Sequence, residues 1–446
     1  MNRRKVNLLD GPILKNLILL SAPLMATAFV QMTYNFVDMI WLGQLGTNEV
    51  AAAGAGGIYN WLSSALAAVA RVGTNVYTAQ YVGSKEKDNM HDTIKSGLYL
   101  VIAFAAFYFT LIQLFSHQLI GFYNLELPVH NMGVTYLRVV SIGYLFQFIN
   151  PVLSSVYNSI GDSVRPFKMN TIGLIINIAL DPILIFGFGP IPAMGILGAA
   201  VATVLAQMVV TLLFLIDAFR SKNEVYDGIK YGIARIESFV SIIRIGFPAG
   251  IQSALHASIS LLLNKFVALY GSIPLAVYTI GTNIESISYV TTEGFQGGII
   301  AFIGQNYGAR QIHRLKEAIK KSLLVVGAIG LMASFILIFF RNDLFKIFLP
   351  DDKTAIYMGS YFLLILGLSQ FFMSIEIGAS GVFHGLGLTK VPSTISIIFN
   401  LLRIPMALIL MQYFDFYGVW IAVTISSIFK GTISNYILYR KYHTMG

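Results

Sequence analysis

The sequence predicts an all-α polytopic membrane protein, with twelve transmembrane helices in two six-helix bundles related by a pseudo-two-fold axis along the membrane normal. Three observations predict it. Of 446 residues, 56% are hydrophobic and only 11% charged, whereas an ordinary soluble domain carries roughly a quarter charged residues, so lipid must be the solvent for most of the chain. Twelve apolar stretches are each long enough to cross about 30 Å of hydrocarbon as a helix. The sequence also falls into register with itself at an offset of 225 positions. This composition excludes a soluble enzyme of two or three domains. The lack of any cysteine excludes a disulfide framework, a thiolate nucleophile and a Cys-ligated metal.

In chain order the spans cover 14–42, 49–81, 96–115, 131–159, 166–187, 195–217, 238–270, 276–307, 322–340, 354–384, 391–412 and 418–439. The first follows a basic N-terminus, but it exceeds the ~7 to 15 apolar residues of a signal peptide and has a mid-chain counterpart, so it is read as a permanent span. Several others exceed the crossing minimum, which implies tilt or protrusion. With the N-terminus inside, the inner segments hold 23 of the 30 Lys and Arg residues, from Arg3, Arg4 and Lys5 to Lys430, Arg440 and Lys441. Three fall outside, and four (Arg71, Arg138, Lys265 and Arg403) lie within spans. That asymmetry places both termini in the cytoplasm of a multi-pass protein of the inner cell membrane. The basic residues recur once per helical hairpin rather than on one face, which excludes a nucleic-acid partner.

The repeat sets the domain plan. Pro23 falls on Pro248, Gly46 on Gly271, Gly73 on Gly298, Gln80 on Gln305 and Lys95 on Lys320; after a small drift, Asn177 pairs with Asn400, Pro182 with Pro405 and Gly198 with Gly418. Residues 1–217 and 237–446 form the two bundles, and the polar segment 218–236 is a cytoplasmic linker. Each half begins on the same side and has an even number of spans, so the halves run parallel, and such halves commonly rock about a substrate site. The chain carries neither a GxxxxGK[ST] phosphate loop nor an HExxH zinc motif, so ATP-driven chemistry has no support and no cofactor is expected.

A carboxylate in hydrocarbon is costly unless paired, hydrated or protonated, which makes each intramembrane acid a functional candidate. There are five: Asp38, Asp181, Glu285, Glu293 and Glu376. In the first span Gln31, Tyr34, Asn35 and Asp38 follow i, i+3, i+4, i+7 spacing, which gathers them on one face. The repeat partner of Asp38 is Leu263, so this acid belongs to one half only. In the fifth span Asn177 and Asp181 are i and i+4, Pro182 removes an amide from the ladder, and Thr203 of the sixth span can add an oxygen. An all-oxygen group suits a hard cation, and two close carboxylates tend to share a proton. Asp181 as a plain helix cap near the outer surface is the competing reading. The second half carries a different stripe: His256, Ser260 and Asn264 at four-residue steps, with Lys265, Glu285, Glu293, Glu376, His384 and Arg403. Glu285, Glu293, Lys265 and Arg403 are expected to make structural pairs. Met25, Met32 and Met39 recur every seven residues, as ordinary packing does, although methionine surfaces also adapt to varied apolar ligands.

The segments ValAspMetIleTrpLeuGlyGlnLeuGly (37–46), GlnTyrValGlySerLys (80–85), GlyGlnAsnTyrGlyAlaArg (304–310), AsnIleAlaLeuAspProIleLeuIlePheGly (177–187) and GlyAlaAlaValAlaThrVal (198–204) resemble the multidrug and toxic compound extrusion (MATE) transporters, particularly their prokaryotic DinF-like branch. The resemblance implies two six-helix bundles arranged as a V around a central cavity. It further implies a secondary transporter, not an enzyme: an antiporter exporting amphipathic, often cationic drugs in exchange for H⁺ or Na⁺ by alternating access. The family's coupling aspartate falls on Asp38, and the polar group around it on Asn177, Asp181 and Thr203, which would also be the metal ligands if Na⁺ binds. A seventh-span glutamate of the Na⁺-coupled branch is replaced by His256, and a tenth-span aspartate by Met373, with Glu376 one turn further on. These departures shift the expected ion site to the first half. Gln31, Met32, Tyr34, Asn35, His256 and Glu376 are expected to face substrate, and Pro23, which weakens the backbone ladder of the first span, to gate it. A monomer in the lipid bilayer is expected. The alternative function is a flippase of a lipid-linked sugar or peptidoglycan precursor from the same superfamily, but that cavity calls for several cations, whereas the first half offers acids.

Overall fold

The computed structural model describes residues 5–221, 224–231, 234–350 and 352–445, with the side chains of Asn35 and Glu224 outside the described set. The described chain is helical throughout, apart from turns and one isolated bridge between Phe188 and Ile191. The helices are α1 (Ile13–Leu45), α2 (Thr47–Ser84), α3 (Lys87–Gly121), α4 (Leu127–Ser159), α5 (Val164–Phe186), α6 (Ile196–Arg220), α7 (Asp227–Tyr231), α8 (Ile236–Ala268), α9 (Ser272–Gly308), α10 (Ile312–Phe339), α11 (Arg341–Phe348), α12 (Lys353–Gly367), α13 (Gln370–Gly385), α14 (Lys390–Phe414) and α15 (Tyr417–Thr444).

The twelve spans correspond to eleven unbroken helices and one broken pair. Among the described residues nine helices are long and apolar enough to cross a membrane by length and composition, and α12 with α13, bent by 45°, makes a tenth span. The remaining two, α2 and α9, are 38 and 37 residues long but less hydropathic, because Gly, Ala, Ser, Thr and Asn stand where aliphatic residues would. They are each other's repeat mates, and their small residues are used for close helix crossing.

The tenth span was expected as one helix over 354–384; it breaks at Leu368 and Ser369. No proline causes this. The freed carbonyls are instead taken by hydroxyls: Ser334 Oγ of α10 donates to the Gly367 carbonyl at 2.7 Å, Thr424 Oγ1 of α15 to Ile365 at 3.0 Å, and Ser369 Oγ to Leu366 at 2.9 Å. Backbone groups inside a bilayer must find such partners within the protein. The start of α12 is capped by Asp352, whose carboxylate accepts from the Ala355 amide at 2.9 Å.

Packing divides the chain into two compact units, one holding Lys5 and Ala26–Gly250, the other Val6–Met25 and Ile251–Gly446. Helices α1 and α8 therefore contribute a stretch to each. Glycines explain how. In the first unit Gly73 of α2 lies against the Ile242 backbone of α8, and Gly246 of α8 against the Val69 backbone of α2. In the second, Gly298 and Gly294 of α9 lie against Ser21 and Met25 of α1. Gly73 and Gly298, Val69 and Gly294, and Gly246 and Ser21 are all 225 positions apart, so the same crossing is built twice. Overpacking such a contact costs about 1–3 kcal/mol. Gly246→Val is accordingly expected to lower the thermal unfolding midpoint of the purified protein, whereas Gly54→Ala, at a position with open space around it, should not. Equal midpoints for the two would contradict the crossing.

In the first unit the described residues between α6 and α8 dock against the bundle. Tyr226 is fully buried and packs on Tyr157 at 4.6 Å between ring centroids. Lys95 Nζ donates to the Ile229 carbonyl at 2.9 Å, and Arg235 pairs with buried Asp92 at 2.9 Å. Arg3, Arg4, Lys222, Asn223, Gly232 and Ile233 lie outside the described residues.

Candidate functional site

Two glycines set the approach of α5 to α6. Gly173 of α5 meets Val210, and Gly198 of α6 meets the backbone of Leu184 and Ile185, with no room for a Cβ at either place. The pairing turns Asn177 and Asp181, both fully buried, toward Thr203, and the later part of α1 brings Asp38 to the same place. Thr203 Oγ1 donates to Asp38 Oδ2 at 3.3 Å, and Asn177 Nδ2 to Asp181 Oδ1 at 3.1 Å. The Asp38 carboxyl is also within hydrogen-bonding reach of Asp181 and Asn177. Pro182, immediately after Asp181, has no amide to give the Ile178 carbonyl. At the end of α5 the loop supplies donors instead, Met194 N to Leu184 O and Gly195 N to Ile185 O, both at 3.0 Å. Gly187 makes that turn possible, with φ +82° and the Ala193 amide where a Cβ would stand.

The site is thus two carboxyl groups set beside an amide and a hydroxyl, with Asn177 and Asp181 fully buried and Asp38 and Thr203 half-buried. Three of its buried oxygens, Asp38 Oδ1, Asn177 Oδ1 and Asp181 Oδ2, have no hydrogen-bond partner among the described residues. Buried oxygens of this kind call for a proton or a cation. The donor set is all oxygen, which fits H⁺ between the carboxylates or a small hard cation such as Na⁺. Among the described residues no group of three or more His, Cys, Asp or Glu could hold a metal ion, so a transition-metal centre has no ligand set there.

The structure therefore brings Asp38, Asn177, Asp181 and Thr203 together. Tyr34 joins them one turn before Asp38, its hydroxyl buried near Thr203 and Gln207 but without a hydrogen-bond partner among the described residues. Gln31 is exposed and Met32 half-buried on the same helix; the Asn35 side chain lies outside the described residues. Two neighbours were missed in the sequence. Tyr136 of α4 lies within electrostatic range of both acids, and no spacing rule ties it to them. Gln207, one turn after Thr203 on α6, could have been found from that i, i+4 step. It accepts from Asn150 Nδ2 at 2.9 Å, and Asn150 in turn accepts from Thr211 at 2.7 Å, which extends the polar stripe along α6.

His256 and Glu376 are not part of this pocket. They belong to the second unit, where Lys430 Nζ lies 3.2 Å from Glu376 Oε2 with both side chains buried. Arg403 donates from Nε to Ser426 Oγ at 3.0 Å and from Nη2 to Ser427 Oγ at 3.3 Å. Glu285 Oε1 accepts from Gln370 Nε2 at 3.1 Å. Lys430 was counted above with the inner, cytoplasmic charges, and that placement is corrected here: it is 5% exposed and ion-paired on α15. Glu293 and Lys265 are exposed. Pro23 stands inside α1, which runs through it without a break.

The sequence pattern of MatE matches residues 23–183 and again residues 248–409, two matches that start 225 positions apart, as the repeat does. Over 427 residues the chain is 27% identical to "Probable multidrug resistance protein NorM" of Thermotoga maritima, covering 94% of this chain and 91% of the relative. It is 22% identical over 421 residues to "Multidrug export protein MepA" of Staphylococcus aureus, with 92% and 90% covered, and 26% identical over 367 residues to a "FAD transporter" of Shewanella oneidensis, with 80% and 79% covered. Crystal structures of MATE in the bent and in the straight conformation superpose with TM-scores of 0.92 and 0.91 at 23% identity, covering 100% of this chain and 99% of those. At that identity the superposition speaks for the fold alone. The doubled sequence match, the repeat it follows and the twelve-span helical fold together place this chain in the multidrug and toxic compound extrusion family, MatE.

Proposed function

We propose that the protein is a cation-coupled antiporter that exports amphipathic, often cationic compounds across the cell membrane in exchange for H⁺, by alternating access, with Asp38 as the coupling carboxylate. The observation that carries this is the pairing of Asp38 with Asp181 in a pocket with three unpartnered oxygens. Two carboxylates so close cannot both ionise without a cation between them. A proton satisfies them when cargo is absent. A positively charged cargo nearby replaces it, since at an effective dielectric of about 20 a unit charge 4 Å away is worth about 4 kcal/mol. Proton and cargo thereby exclude each other, and exchange follows without ATP. Asn177 and Thr203 orient the pair, and Tyr34 with Gln207 links it to the polar stripe of α6. Relatives named for multidrug resistance and export support the substrate class. Protonation of the pair would relieve charge on α1, and Pro23 supplies a weak point in its ladder at which the helix can bend. In this reading the protein works as a monomer with both termini in the cytoplasm.

The same oxygen set suits Na⁺, and one experiment separates the two ions. Ethidium efflux from proteoliposomes is expected under an imposed pH gradient with sodium absent. Efflux under a sodium gradient alone would assign the site to Na⁺. Efflux under neither would overturn the antiport reading.

A further inference from the structure

The second unit contains a buried charge cluster that the exchange at Asp38 does not use. Arg403 of α14 and Lys430 of α15 are 5% exposed. They face Glu376 of α13 and Glu285 of α9, with His256 of α8 and the hydroxyls of Tyr278 and Tyr289 of α9 also within electrostatic range of the cations. Glu376 is held directly by Lys430 at 3.2 Å, Arg403 is anchored on Ser426 and Ser427, and Glu285 rests on Gln370. Two cations thus balance two carboxylates in a low-dielectric interior. The repeat partner of Glu285 is Asn60 and that of His256 is Gln31, so at these positions the ionisable groups belong to the second half alone.

The exposure within the cluster is uneven. Glu376, Arg403 and Lys430 are buried, whereas Glu285 and His256 keep part of their surface open. A cation reaching the cluster therefore meets Glu285 first. Its arrival makes three positive charges against two negative ones, an imbalance that a low-dielectric site does not tolerate. Arg403 cannot restore neutrality, because a guanidinium does not deprotonate in a protein. Lys430 can, since a buried ammonium sheds its proton readily when its surroundings disfavour charge.

We propose that Lys430 is a second proton carrier, a tethered ammonium that discharges H⁺ when a cationic substrate takes up the negative charge of Glu285 and Glu376. In that step an Nζ–H bond breaks, the electron pair stays on Nζ and water takes the proton. When the substrate leaves, Nζ takes a proton back from water and re-forms the 3.2 Å pair with Glu376. The cluster's net charge is the same before and after. The inference rests on the antiport reading and adds a second proton to it.

The test is the number of protons released when tetraphenylphosphonium, which carries no proton of its own, binds the purified full-length protein in weakly buffered detergent solution, read with a pH dye. Asp38→Asn is expected to keep proton release from Lys430, at about one proton fewer than the unsubstituted protein. Lys430→Arg keeps the ion pair but cannot discharge, so it too should release about one proton fewer, and the double variant none. The charge-neutral pair Glu376→Gln with Lys430→Met provides a second variant that lacks the carrier and leaves no charge unpaired, and it should match Lys430→Arg. Full release by Lys430→Arg, or no release by Asp38→Asn alone, would overturn the role of Lys430 while leaving Asp38 in place. A parent protein that binds the cation and releases no proton at all would overturn the antiport reading itself, and this inference with it.

Discussion

Asp38→Asn is expected to remove the proton movement that drug drives through the carboxylate pair in proteoliposomes, leaving no more than the share carried by Lys430, while the protein stays folded. Asparagine keeps the shape of the carboxyl and can still meet Thr203, Asn177 and Asp181, but it holds no charge. It therefore neither repels a second carboxylate nor attracts a cargo cation. Coupling between two ligands is typically worth about 1–3 kcal/mol, or about 5- to 150-fold in affinity, and the exchange rate should fall to the upper end of that range or beyond. Thr203→Val should have a milder effect, because it removes one 3.3 Å contact and no charge. Exchange at the parent rate in Asp38→Asn would mean that the carboxylate pair is structural.

Glu376→Ala is expected to have the largest effect on stability. Removing one partner of a buried ion pair leaves the other charge uncompensated and costs about 3–5 kcal/mol. Here two cations, Lys430 and Arg403, would face Glu285 alone. Thermal unfolding in detergent should show a clear drop for the single variant. Most of it should return when Lys430→Met is added, because the two losses share one interaction and do not add. If the single and double variants unfold alike, the pair at 3.2 Å contributes little.

The twelve spans were legible from composition, the six-plus-six repeat from self-register, and the stacking of Asn177 and Asp181 from local spacing; that Asp38 joins Asn177, Asp181 and Thr203 was implied by the family resemblance. Asp181 follows Asn177 by four residues on one helix, and an acid inside an apolar run stands out by composition alone. What stayed hidden depends on other helices. The break at Leu368 lies in an unbroken apolar run, LeuLeuIleLeuGlyLeuSer, and is stabilised by Ser334 and Thr424 from α10 and α15. Lys430 falls inside the span 418–439 and was nevertheless counted with Arg440 and Lys441; only the packing of α13 against α15 shows that its partner is Glu376. Tyr136 enters the pocket from α4 with no periodic tie to Asp38. The handing of α1 from one packing unit to the other was also unreadable, since it follows from which neighbour offers Gly294 and Gly298.

Proton and cargo compete at Asp38 and Asp181 in this account, so the affinity of the purified protein for tetraphenylphosphonium, measured across pH in sodium-free buffer, tests it most directly. Each proton released per bound cation weakens affinity by up to about tenfold per pH unit on acidification, so Asp38→Asn, which removes one of them, should make that dependence shallower. An affinity that stays flat from acid to alkaline pH in the parent protein would contradict the account.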